Sequence, residues 1–311
     1  MRGVLCSSSI AASLLGLLFV WAPSLPADAA EQDRTAEQLL DRAFRNLYAE
    51  DYIQTLVLAT QSRGGSEMRR RLQIMRRQSE RPGKALLRFL YPQSIRRTSV
   101  LILENENASD DLFVYLPAIK LTRRLSSAQR ADAFFGTDLS YEDVEPKHIE
   151  DYRVRWLSAE ERDALEVGGD TDSCRLMEIT AAPGFESAYE KQISCIEPER
   201  AIIAWTDFYA KGQVLKRLKI DPAQVKPVGD RHIPFLITIE TPRNRSMTRV
   251  VTEDYALRAE IPDRLFNTWN LEAGDAKSDR GKTRAAVSAG PADDALEVHS
   301  GDSGDSGDSG E

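Results

Sequence analysis

The densest run of reactive side chains is Phe134–Pro146, FFGTDLSYEDVEP. Asp138, Glu142, Asp143 and Glu145 supply carboxylates, and Thr137, Ser140 and Tyr141 supply hydroxyls. Paired carboxylates do acid–base work when their surroundings drive their pKa values apart. A hydrolase using the Asp138–Asp143 carboxylates is therefore one chemistry that the spacing allows. The same residues also serve structure. Gly136 permits a tight bend. Asp138 and Ser140 can bond neighbouring backbone amides, and Tyr141 can bury its ring while its hydroxyl stays bonded. Residue chemistry favours structure, because no histidine, metal-ligand set or nucleophile–base pair accompanies the run.

The remaining inventory points the same way. His148 and His232 stand alone, and no zinc, phosphate-loop or nucleophile-elbow spacing occurs. Gly168–Ser173, GGDTDS, lacks the ligand run and closing glutamate of a calcium loop and reads as a solvated turn. No metal and no cofactor is implied. The GDSG repeats near His299 lie in a low-complexity tail without ordered oxyanion geometry, so they do not read as a protease site. The arginines of Glu67–Lys84 could meet anionic head groups. Their alternation also fits a half-buried strand, with Leu72 and Ile74 on one face and Arg69, Arg71 and Arg77 on the other.

Both ends fall outside the folded body on this reading. Residues 1–29 have the form of a cleavable signal peptide, with Arg2, an apolar run Ile10–Ala22 and small residues at Ala27–Ala29. Residues 275–311 read as a disordered acidic Gly/Ser/Asp tail with nine acids and four bases. The net charge of the whole chain is −8, which leaves the body, residues 30–274, at −3 and gives no argument for nucleic-acid binding. Export makes the two remaining cysteines, Cys174 and Cys195, a candidate disulfide. Counting outward from a turn at Pro183–Glu186 sets Cys174 opposite Cys195, Leu176 opposite Ile193, Glu178 opposite Lys191 and Thr180 opposite Tyr189.

The elements that must position these residues are mostly strands. One amphipathic helix opens the body, with a capping box at Thr35 and Gln38 and an apolar stripe from Ala36 to Tyr48. About ten strands with turn signals follow. Ser126–Phe135 and Ser158–Leu165 read as short helices, and Ile261–Leu271 as a segment that docks back on the body. The fold class is mainly β with few helices, an antiparallel meander in a sheet long enough that it must curl or split.

The run Leu112–Pro146 resembles the outer-membrane lipoprotein-sorting-like family, relatives of the LolA/LolB-type periplasmic lipoprotein carriers. The resemblance rests on Tyr115-Leu116-Pro117, Arg123-Arg124, Phe135-Gly136-Thr137-Asp138 and Ser140-Tyr141-Glu142-Asp143, with Leu139 where the pattern has phenylalanine, and on Phe208–Lys216. It implies an incomplete β-barrel lidded by helices, whose apolar concave face holds acyl chains, and it implies no catalytic residue. The groove candidates are Leu56, Leu58, Leu72, Ile74, Leu87, Phe89, Leu101, Leu103, Leu116, Phe235 and Ile237. It further implies a periplasmic protein, a lipid or lipidated protein as cargo, an inner-membrane lipid exporter as partner, and transient membrane contact. A non-catalytic scaffold with a solid core is the competing reading.

Overall fold

A computed structural model describes residues 35–78, 82–106, 108–165 and 173–273. The segments read as signal peptide, calcium-like turn and acidic tail lie wholly or largely outside the described residues. Among the described residues, no helix is long and apolar enough to cross a membrane.

Thirteen strands form one antiparallel sheet that does not close into a barrel, in the order β6-β5-β4-β3-β2-β1-β15-β14-β11-β10-β9-β8-β7. One wing runs through β1 (Tyr52–Gln61), β2 (Glu67–Arg77), β3 (Lys84–Tyr91), β4 (Ser99–Leu103), β5 (Asp111–Leu116) and β6 (Leu121–Arg124). The other wing holds β7 (Tyr152–Trp156), β8 (Arg175–Ala181), β9 (Lys191–Glu197), β10 (Ile202–Ala210) and β11 (Gln213–Ile220). Strands β14 (Leu236–Thr241) and β15 (Ser246–Leu257) join the wings, with β15 pairing directly to β1. A separate ribbon, β12 (Val225–Val228) with β13 (Arg231–Pro234), leads into β14.

The chain is a meander only within each wing. Strands β6 and β7 are consecutive in sequence yet occupy opposite edges of the sheet. Residues 125–151 connect them, and Leu125, Phe134 and Tyr141 pack on the inner face of β1–β5. This crossover belongs to no ladder strand. Its buried backbone groups must therefore find side-chain or turn partners, which is why the segment is dense in hydroxyls and carboxylates.

The continuous apolar runs of β3, β4 and β5 follow from burial on both faces. Leu87, Phe89, Val100, Ile102 and Val114 face inward with Leu56, Leu58 and Leu72. Leu86, Leu101 and Tyr115 face outward with Met75 and are covered by Ile261, Phe266 and Leu271, so the last segment docks as expected. It ends in the short helix α3 (Thr268–Ala273). On the other wing α1 (Ala36–Tyr48) carries the expected capping box at Thr35 and buries Leu39, Leu40, Ala43 and Phe44 against Met177, Ile179 and Ile196.

Two expectations need correction. Ser126–Phe135 is only a 3-10 turn over Ser127–Ala131; after it the chain folds back on itself through an Ala133–Ser140 bridge. The short helix α2 (Ala159–Asp163), by contrast, begins at the capping box foreseen at Ser158 and Glu161. The β8–β9 register is also shifted by two: Leu176, not Cys174, pairs with Cys195, and Glu178 pairs with Ile193. The cause is the connection, a loop over residues 182–190 rather than a tight four-residue turn. It is drawn out of the ladder because Ser187 and the Ala188 amide bond Glu142 and Tyr189 bonds Ser140 and Asp143. The disulfide forms nonetheless, with Cys174 just beyond the strand end and its Cα 5.5 Å from that of Cys195. Glu178 and Lys191 still meet diagonally at 3.3 Å.

Candidate functional site

The crossover turns sharply at Phe134–Leu139. The Phe134 amide donates to the Leu139 carbonyl at 2.7 Å, and Phe135 and Gly136 both adopt positive φ, 49° and 72°. A Cβ on Gly136 would sit 3.2 Å from a terminal nitrogen of the Arg70 side chain, which can shift, so it is the positive φ rather than space that favours glycine here. Phe134, Phe135 and Tyr141 meet Phe89 in one aromatic cluster with ring centroids 4.7–5.9 Å apart. Burial raises the Tyr141 hydroxyl pKa.

Asp138 does not cap local amides as the sequence suggested. Its carboxylate accepts from the Ser246 hydroxyl and, at 2.7 Å, from Thr248 on β15; Thr248 in turn accepts from the Asp138 amide at 3.0 Å. Local capping falls to neighbours. Thr137 Oγ1 accepts from the Leu139 amide at 3.3 Å, Asp143 from the Ser140 amide at 2.6 Å, and Ser140 Oγ from the Asp143 amide at 3.3 Å. Asp138 is thus a long-range clasp between crossover and sheet.

Asp143 is the centre of a buried network. It pairs with Lys216 of β11 and accepts from the Tyr189 hydroxyl at 2.7 Å, and that hydroxyl is 2.9 Å from Ser140 Oγ. Burial pushes the Asp143 pKa up, but Lys216, the Ser140 amide and Lys147 outweigh it and hold the carboxyl below its ordinary range. The Lys216 ammonium also lies over the rings of Tyr189 and Phe208, at 4.8 and 5.1 Å. Burial and the neighbouring Asp143 push the Tyr189 hydroxyl far up. The phenol so held orients Asp143 and Ser140.

Beneath this network lies an apolar cavity of about 270 Å³. Leu56, Ile74, Leu87 and Ile237 line it, together with Ile179, Phe208 and Leu218 of the other wing. Phe44, Leu47 and Tyr48 of α1, and Leu139, Val144 and Pro146 of the crossover, also line it. The other groove candidates lie elsewhere. Leu58, Leu72, Phe89 and Leu116 pack under the crossover. Leu101 and Leu103 belong to the outer face, beneath Ile261 and Phe266, because strand parity turns them away from Val100 and Ile102. Phe235 is covered by the Lys226 ammonium, 4.4 Å from its ring. Pro117 sits in the β5–β6 turn.

Parity also shows what sequence reasoning missed. Positions 70, 72, 74 and 76 of β2 share a face, so Arg70 and Arg76 point inward with Leu72 and Ile74. Arg76 is buried against Glu104 at 2.5 Å, lies over the Tyr48 ring at 5.3 Å, and donates to the Tyr48 carbonyl at 3.0 Å. It lines the cavity along with Asp143 and Lys147.

On the other side of residues 142–147 is a polar cleft of about 580 Å³, lined by Glu104, Asp110, Arg130, Glu145, Lys147 and His148, among others. Glu145 pairs with Arg130 at 3.1 Å, yet its second oxygen has no partner. Burial raises its pKa to about 7, against the opposing pull of Arg130 and Lys147. Among the described residues, no group of His, Cys, Asp and Glu is arranged to hold a metal.

Solved structures share this half-open sheet with an apolar hollow, among them one described as a LolA superfamily protein. A DUF1329 family protein from Desulfovibrio piger superposes with TM-score 0.67 at 21% identity, over 76% of this chain and 97% of the other. A domain described as a candidate outer membrane lipoprotein-sorting protein from Vibrio parahaemolyticus gives 0.66 at 22%, over 76% and 98%. The LolA superfamily protein NE2245 from Nitrosomonas europaea gives 0.59 at 18%, over 75% and 98%. The chain belongs to the family described as "-like: Uncharacterized protein", whose sequence profile matches residues 82–273. No curated protein matches it.

Proposed function

We propose that this chain is a non-catalytic periplasmic carrier that holds the acyl chains of a lipid or lipidated protein in the apolar cavity and moves them between envelope membranes. An inner-membrane lipid exporter would load it. The observation that carries this reading is the cavity of about 270 Å³, walled by aliphatic residues of both wings and roofed by the amphipathic α1. Each methylene enclosed there contributes about 0.8 kcal/mol, so a stretch of acyl chain binds without any specific polar contact. The motif carboxylates support the same reading, since Asp138 and Asp143 already bond neighbouring side chains and amides.

Mass spectrometry of organic extracts from the purified chain should find an acyl-bearing molecule. Ile74→Trp with Ile237→Trp should fill the hollow and weaken uptake of a fluorescent acyl probe at least tenfold. A well-folded double variant that binds the probe as tightly as the parent would sink the proposal.

A further inference from the structure

The strand register brings five hairpin turns to one end of the sheet, side by side along its curve. They are residues 117–120 (β5–β6), 92–98 (β3–β4), 62–66 (β1–β2), 242–245 (β14–β15) and 211–212 (β10–β11). Their charged residues are Arg63, Arg96, Arg97, Lys120, Lys211, Arg243 and Arg245, with no acid among them. All seven are exposed. This array stands on a body whose net charge is −3, so composition alone does not produce it. Large apolar side chains stand exposed at the same end: Met68, Tyr91 at 57%, Ile119 at 64% and Leu121. The next loop in the row, 182–190, carries Glu186 and Glu190 and ends the array. Two turns at the opposite end carry acids alone, Glu50 and Asp51 before β1 and Glu104, Glu106 and Asp110 between β4 and β5, while the β9–β10 turn there is mixed, with Glu199 and Arg200.

We infer that this end of the sheet docks on a membrane surface rich in anionic phospholipid. A row of cations attracts the phosphate layer, and interspersed Tyr, Ile, Leu and Met side chains enter the boundary below it. Adjacent strands lie roughly 4.8 Å apart, so the row presents an extended line of charge rather than a pocket. That geometry suits a two-dimensional partner. The inference uses a surface distinct from the cavity and stands whatever the cavity holds.

The test is sedimentation of the purified full chain with vesicles of phosphatidylcholine, with and without phosphatidylglycerol. Binding is expected only to the anionic vesicles and should fall as salt rises. A basic side chain near such a surface is worth about fivefold in partitioning, so Arg63→Gln/Arg96→Gln/Arg243→Gln should weaken binding by about a hundredfold. None of these three has positive φ, so the melting temperature should hold. Ile119→Ser/Leu121→Ser should leave salt-sensitive attraction but reduce the binding that survives at high salt. Equal binding to pure phosphatidylcholine, or a stable triple variant that binds as the parent does, would overturn the inference. So would equally tight binding to a DNA duplex at the same salt, which would assign the array to polyanions in general.

Discussion

Residues 142–147 divide two hollows of opposite character, and the carboxylates facing them have opposite fates. Asp143, on the apolar side, is buried but touches Lys216, the Tyr189 hydroxyl and the Ser140 amide, and its pKa falls. Glu145, on the polar side, is also buried, has one cation on one oxygen and no partner on the other, and its pKa rises to about 7. Burial alone penalises both. The number of donors reaching each oxygen decides which carboxylate stays charged. The greasy hollow thus has the firmly ionised wall group, and the wet cleft has the titrating one.

The comparison breaks most severely at Asp143. Asp143→Ala leaves the Lys216 ammonium buried without its counter-charge and should cost about 3–5 kcal/mol. Urea melts of Asp143→Ala, Lys216→Met and the double variant check this, and the double variant should recover much of the loss. Additive losses would mean that the two groups do not act as a pair.

Acidity sharpens the comparison next. The folded pKa of Glu145 lies above its unfolded value, so its contribution to stability is full below about pH 4.3 and is lost as pH rises through about 7. The whole swing is at most about 4 kcal/mol. His148, raised chiefly by the Asp110 carboxylate 3.8 Å away, moves stability in the same direction. Asp143 behaves oppositely, contributing above its unfolded pKa and losing that contribution only as pH falls through its lowered folded value. Melting the parent and Glu145→Gln from pH 5 to 8 isolates the glutamate. The parent should lose stability relative to the variant as pH rises, and parallel curves would refute the assignment.

Asp138 comes third. Asp138→Ala removes acceptors for Ser246 and Thr248 and should cost about 2 kcal/mol, read by thermal melting. An acyl probe should still bind to the folded variant. Phospholipid hydrolysis by the parent that vanishes in an equally stable Asp138→Asn would turn the clasp into a catalytic group. Tyr141→Phe should change least, below about 1 kcal/mol, because its ring still packs on Phe134 and Phe135.

Element type was legible where periodicity is local. The α1 stripe, the capping boxes at Thr35 and Ser158, and the half-buried strand carrying Leu72 and Ile74 stand where spacing puts them. The Ser126–Phe135 helix failed because its apolar end, Phe134 and Phe135, is claimed by Phe89 in the core rather than by a helical face. Registers failed where distant partners intervene, as when Glu142 and Asp143 pull residues 187–189 out of the β8–β9 ladder.

By itself the sequence determined the β-rich class, the amphipathic opening helix, the glycine bend at Gly136 and a sparse catalytic inventory. These follow from side-chain period and local backbone sterics. Only tertiary structure decided that residues 125–151 bridge opposite sheet edges. It also decided that Asp138 clasps β15 and that Lys216 neutralises Asp143, 73 positions apart in the chain. Strand parity alone could have placed Arg76 inside, but not beside Glu104. Which donors reach a buried carboxylate is a long-range fact, and a linear pattern does not carry it.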